Sequence, residues 1–392
     1  MKLHLAAASI LVLGALTAAL AQPAPQTPAA PAPAAAPAAG RGGRGPVEPP
    51  PPQFPVGGTD NIADGDFTIG PDYAAAAEMR ANPAWATGEL HQFVMYAKDS
   101  KIYPGRKRKV GYRADPAKAP GGPGNAVPGD VQWDDAPYEP RPVWVYVPAG
   151  TDPKTPMPVI IVADGRGYQD QVRRAIDAGI AQKKIPPMVM VALQPGSVPL
   201  GAKNAEDAQG SERGYEYDTV NGRYSDFIET EVLPLVSRKY NITFTQDPEG
   251  RATLGGSSGA AAAFTMAWFH PERYRRTIIF SPTFVNQQSP VDPANPRGAW
   301  EYHAHLIADA PKKPIRVWME VGERDNRFQD PEGTWHNWVI AANRSAAAFK
   351  AKGYNYRYVF AKDAGHTDNR VREQTMAAAL EYVWQGYKPS GR

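Results

Sequence analysis

The sequence contains no cysteine, which excludes disulfides, thiolate-held metals and a lipid carried on an N-terminal cysteine. Charge of either sign is barely in excess: 43 lysines and arginines face 40 aspartates and glutamates, a formal net of +3. That balance gives no electrostatic reason to expect a nucleic-acid or anionic-membrane partner. After the first 21 residues no apolar run is long enough to cross a bilayer. The basic, glycine-rich knot "GRGGRG" neither follows a strand nor opens a helix, so it is not a phosphate loop. With 392 residues, the chain is long enough to hold itself together by core packing alone.

What is present begins with a leader. "MKLHLAAASILVLGALTAALAQ" combines Lys2, an apolar stretch and the small-residue ending Ala19-Leu20-Ala21. This pattern predicts a secretory signal peptide over residues 1–21, cleaved before Gln22, and a periplasmic or secreted protein with no membrane span. Residues 22–57 are rich in proline and alanine and predict a disordered tether. Residues 58–130 read as an N-terminal extension with the first strand, and 131–392 as the catalytic core.

"ELHQFVMYA" (89–97) and "RPVWVYVPA" (141–149) alternate like strands. "MPVIIVAD" (157–164) and "PPMVMVALQ" (186–194) are near-continuous apolar runs, the mark of strands buried on both faces. Between them Val172, Ile176 and Ile180 share one helical stripe. A second stripe runs from Tyr224 to Val236, bent by Pro234, and Gly353 caps a later helix. With "RATLGG", "RTIIFSP", "IRVWMEVG" and "YNYRYVFA" the count reaches eight strands. The expected fold is α/β: a mostly parallel sheet, helices on both faces, and an antiparallel start. Ligands bind such sheets beyond the carboxyl ends of the strands.

One strand-to-helix junction carries a chemical signal. Gly255-Gly256-Ser257-Ser258-Gly259 matches G-x-S-x-G, the tight turn that projects a serine hydroxyl above a sheet. Small residues two positions before and after the nucleophile are a steric requirement of that turn. The pure glycine frame favours Ser257; Ser258, framed by Gly256 and Ala260, is the alternative. Ser258 then lends its main-chain amide to an oxyanion, with Arg166 or Gly165 after "VIIVAD" as the second donor.

A serine nucleophile needs a base. His366 follows the strand "YRYVFA" and is the last histidine, which fits the chain order serine, acid, histidine. The acid is expected after the preceding strand, at Asp325, with Glu323 and then Asp330 as alternatives. His303 and His305 lack a nearby third ligand and predict no metal site. His336, Trp335 and Trp338 follow the acid loop and are candidate substrate contacts. Glu216 and Asp218, in "RGYEYD", are candidates either for substrate hydroxyls or for structural pairing.

These segments together, "VADG", "YEYDTVNGRYSDFIETEVLP", the elbow with its alanine-rich helix, "VGERD" and "KDAGH", resemble the esterase D and enterochelin esterase branch of the α/β-hydrolases, which includes feruloyl and acetyl-xylan esterases. The resemblance runs from about residue 88 to the end. It implies an α/β-hydrolase fold and a Ser257-Asp325-His366 triad, with no metal and no organic cofactor. Two positions depart from the branch: Ala260 stands where glycine is usual, and Asp164-Gly165 replaces the commoner His-Gly. The implied partner is a small-molecule or carbohydrate ester, carbohydrate or phenolic in class, with a catecholate siderophore ester as second choice. An acyltransferase and a non-catalytic carbohydrate-binding protein are the rivals of other classes.

Overall fold

The apolar runs become strands at the predicted places. Eleven are present among the described residues: β1 (Gly65–Ile69), β2 (Glu89–Met95), β3 (Lys107–Ala114), β4 (Ala126–Asp134), β5 (Arg141–Val147), β6 (Val159–Ala163), β7 (Val189–Leu193), β8 (Arg251–Gly256), β9 (Arg276–Phe280), β10 (Arg316–Gly322) and β11 (Asn355–Ala361). The helices are α1 (Gly165–Ala181), α2 (Arg213–Glu216), α3 (Arg223–Phe227), α4 (Leu233–Tyr240), α5 (Ser258–Phe269), α6 (Ile307–Asp309), α7 (Trp338–Ala351) and α8 (Asn369–Trp384). This computed structural model describes residues 62–104, 107–114, 126–134, 140–152, 155–196, 212–288 and 291–389, all within a unit spanning residues 53–392. The expected signal peptide and tether lie outside the described residues, as do residues 197–211.

Nine strands form one sheet in the order β1-β11-β10-β9-β8-β6-β7-β5-β2, and β3 and β4 form a separate hairpin. β5 runs antiparallel to both β2 and β7. All other neighbours in the sheet are parallel. The antiparallel start and parallel remainder agree with the sequence reading, but the sheet has nine strands rather than eight. The extra strand, β1, pairs with β11. It is five residues long, and its partner lies at the far end of the chain, so no local pattern marks it.

Both faces of the sheet are covered. On one, Phe227, Phe264, Trp268 and Phe349 pack with Val159, Ile161 and Val317. On the other, Val172 and Ile176 of α1 and Val371 and Leu380 of α8 pack with Ile160, Val162 and Trp318. Burying side chains of this kind contributes about 1.5–3 kcal/mol each. The predicted stripe bent at Pro234 is a helix from Arg223 to Tyr240 with a π-helical turn at Ile228–Val232. The wider turn accommodates a proline that has no amide hydrogen to donate.

Candidate active site

The strand β8 sits mid-sheet and ends in the glycine frame. Ser257 adopts φ 56° and ψ −128°, a conformation that costs free energy in any non-glycine residue and is held only when the surroundings enforce it. Those surroundings are visible. The Ser257 amide donates to Phe280 O, and its carbonyl accepts from the amides of Thr283, Ala260 and Ala261. A Cβ on Gly255 would lie 2.2 Å from Gly259 O, and one on Gly259 would lie 2.8 Å from Asp164 Oδ2. The turn therefore needs glycine at Gly255, and a side chain at Gly259 would have to displace the Asp164 carboxylate. Every residue of α5 from Ser258 to Trp268 is buried, and the alanines let the helix lie against the sheet. The Ser257 hydroxyl is 3.4 Å from Thr283 Oγ1.

His366 and Asp325 meet: Nδ1 lies 2.5 Å from Oδ1. Asp325 is buried and also accepts the Asn326 amide at 2.6 Å. The two loops are forced together at Gly322, where a Cβ would lie 2.4 Å from Ala364 O. The Arg324 amide donates to Ala364 O, and the Glu323 carboxylate accepts the Asp363 amide. Glu323 thus braces the histidine loop rather than the ring, and Asp330 pairs with Arg327. The loop also reaches the elbow, since a Cβ on Gly256 would lie 3.2 Å from Thr367, the residue after His366. The Thr367 amide donates to Ser281 Oγ. Sequence reasoning missed Glu320 on β10, which is fully buried. Burial, then the charges of Asp325 and Asp368, hold its carboxyl well above the usual range.

Gly165 is buried against Leu193 and Ala192, where no side chain fits. Arg166 differs from expectation: its amide donates to Gln194 Oε1 at 3.1 Å, so a side chain of this protein already occupies that donor. Asp164, left-handed at φ 53°, forms an ion pair with Arg213. Glu216 is buried with both carboxylate oxygens on Arg141, at 2.6 and 2.7 Å. Its partner is Arg141, not the neighbouring Arg213, and the pairing leaves it no oxygen turned to the cleft. Asp218 is buried, and its Oδ1 has no hydrogen-bond partner among the described residues.

The aromatic candidates separate. Trp338 is buried, with His366 edge-on to its ring at 5.8 Å between centroids, so it packs behind the histidine. Trp335 is 39% exposed, at φ 58°, with the Arg297 guanidinium over its ring. His336 is half-buried, its Nδ1 2.6 Å from Thr334 O. Among the described residues no group of histidines and carboxylates could hold a metal ion, and no helix is long and apolar enough to cross a membrane.

The esterase family matches residues 136–382, well over half of the sequence. The chain belongs to the esterase family. No curated protein matches it. Among solved structures, a ferulic acid esterase is 14% identical, with 77% of this chain and 99% of that one covered and a TM-score of 0.50. The enterobactin esterase of Shigella flexneri, solved with enterobactin, is 16% identical; 77% of this chain and 61% of that one are covered, and the TM-score is 0.48. At 14% identity the likeness to the ferulic acid esterase speaks to the fold alone, a mostly parallel sheet with helices on both faces as in α/β-hydrolases.

Two buried groups of this esterase make its stability depend on pH in opposite senses. His303, whose Nε2 lies 3.0 Å from Phe284 O on the loop after Thr283, is pushed down to about 3 by burial, with Arg344 and Arg297 adding and the Phe284 carbonyl opposing. Its folded value lies below the unfolded one, so below about pH 6.5 the unfolded chain binds the proton more readily. Stability is then lost toward pH 3, by roughly 1.4 kcal/mol for each pH unit in that window. His303→Gln is expected to flatten the acid limb of a plot of unfolding midpoint against pH; an unchanged limb would refute this.

Asp218 is pushed up to about 8 by burial and by Asp164, against Arg213 and the Ser258 hydroxyl. Its folded value lies above the unfolded one, so it costs stability progressively as pH rises from about 4 to about 8. Asp218→Asn, neutral throughout, should gain on the parent over that window. Calorimetry at either end of it checks the sign, and an equal difference at both ends counts against it.

Proposed function

We propose that the esterase is an exported serine carboxylesterase acting on carbohydrate or phenolic esters through an acyl-serine intermediate. The observation that carries the reading is Ser257 held at φ 56° between β8 and α5, with Gly255 pressed against backbone and Gly259 against the Asp164 and Ala163 side chains. A fold keeps a strained serine there when its hydroxyl has work in the crevice. His366, oriented through Nδ1 by Asp325, takes the Ser257 proton at Nε2. The alkoxide adds to the ester carbonyl, and the Ser258 amide at the start of α5 steadies the oxyanion, with the Gly165 amide at the start of α1. His366 then protonates the leaving alcohol, and water attacks the acyl-enzyme by the same route. The Asp325 carboxylate fixes the imidazole tautomer and stabilises the imidazolium. Export before Gln22 completes the proposal.

The test is a fluorophosphonate probe followed by mapping of the adduct, beside hydrolysis of feruloyl, acetylated-sugar, short-chain p-nitrophenyl and enterobactin-like esters. An adduct on Ser257 with turnover of the feruloyl or sugar esters is expected. No adduct on Ser257 would overturn the mechanism, and turnover confined to enterobactin-like esters would overturn the substrate class.

A further inference from the structure

A second feature lies at the other end of the sheet. The first residues of β9, β10 and β11 open onto a groove of about 720 Å³. Arg316 and Gly322 are the two ends of β10, so about 20 Å of strand separates this groove from the acid loop. Six cations line it: Arg275, Arg276, Lys312, Lys313, Arg316 and Lys388. Two acids, Asp247 and Glu249, stand among them, leaving the lining at +4, from six positive and two negative groups. The whole chain carries +3, so this end of the sheet concentrates an excess that the rest of the protein offsets.

The cations divide by task. Arg276 is buried, binding Glu249 and the carbonyls of Val383 and Gln385 at the end of α8. Arg275 pairs with Glu249, and Arg316 approaches Asp64 at 3.4 Å. Those three serve the fold. Lys312 and Lys388 are exposed, and no ion pair involves them among the described residues. Lys313 lies over the Trp268 ring at 4.7 Å. Helix-end stabilisation accounts for Arg276 but not for the lysines, and the last turns of α5 and α8 contain no basic residue of their own.

The mixed lining selects the kind of anion. A bare phosphate cage would exclude carboxylates, whereas Asp247 and Asn355 line the same groove and suit hydroxyl groups; the Gln385 amide is held by Arg316 and the Ile62 carbonyl. We propose that this groove is a binding site, separate from the catalytic end, for an acidic glycan. Its spaced carboxylates engage Lys312, Lys313 and Lys388, and its hydroxyls meet Asp247 and Asn355. The volume lies within the range of small-ligand sites, enough for a short stretch of such a chain. The proposal does not depend on ester hydrolysis.

Titrating the full chain with a galacturonic acid trimer, by calorimetry at low and at physiological salt, tests it. Saturable one-to-one binding is expected, weaker at higher salt, with none to the neutral galactose trimer and weaker binding of inorganic tripolyphosphate. Lys312→Glu with Lys388→Glu should weaken binding at least about tenfold, and the glutamine pair should weaken it less. Both lysines are exposed, and unchanged unfolding midpoints will show that the fold survives. Ser257→Ala should bind the trimer like the parent, which separates this site from the cleft. No saturable binding, indifference to the lysine substitutions, tighter binding of tripolyphosphate, or loss of binding in Ser257→Ala would each overturn the proposal.

Discussion

Ser257→Ala is expected to lower kcat for ester hydrolysis by about 10⁶-fold, the scale seen when a triad serine is removed. Alanine meets the same backbone demand at φ 56° and loses only the hydroxyl, whose sole hydrogen bond among the described residues is the long one to Thr283. The unfolding midpoint should therefore stay near the parent's while turnover disappears. What survives is the oxyanion donors acting on water attack. Single-turnover measurement with a p-nitrophenyl ester separates the two reactions, and a rate within about tenfold of the parent would show that the nucleophile lies elsewhere.

The second large effect concerns the acid. Asp325→Asn is expected to lower kcat by about 10⁴-fold. The carboxylate lies on His366 Nδ1 and is buried, so nothing from solvent replaces its charge when the imidazole takes up a proton. Glu323→Gln provides the contrast. Its carboxylate holds the Asp363 amide in the loop before the histidine, so its loss should act through the position of His366 and be far smaller. Comparable losses in the two variants would move the acid's role away from Asp325.

Much of this site was legible because its chemistry imposes local spacing. The turn needs glycine within two residues of Ser257, and strands buried on both faces must be apolar throughout, as β6 and β7 are. The order of acid and base along the chain follows from the order of the strands. Contacts between distant segments left no such trace. Gln194 on the Arg166 amide, Thr283 beside Ser257 and Arg213 on Asp164 each join stretches whose sequences give no hint of the other. Glu216 drew notice for its type and place, yet its partner Arg141 lies 75 residues away. The two tryptophans look alike in sequence. They part because Trp338 begins α7 and turns inward, while Trp335 sits in the loop before it.

The pairing of β1 with β11 has a temporal side. The earliest strand among the described residues pairs only with the last, some 290 residues later, where Asp66 also receives the Tyr356 hydroxyl. Until then β1 waits as an unpaired strand, the kind of exposed backbone that invites wrong partners. The completed strand does more than close an edge: Ile69 O receives the amide of Lys362, four residues before His366. The beginning of the chain thereby holds the loop of the histidine near its end, and a nascent chain stopped short of β11 can have neither.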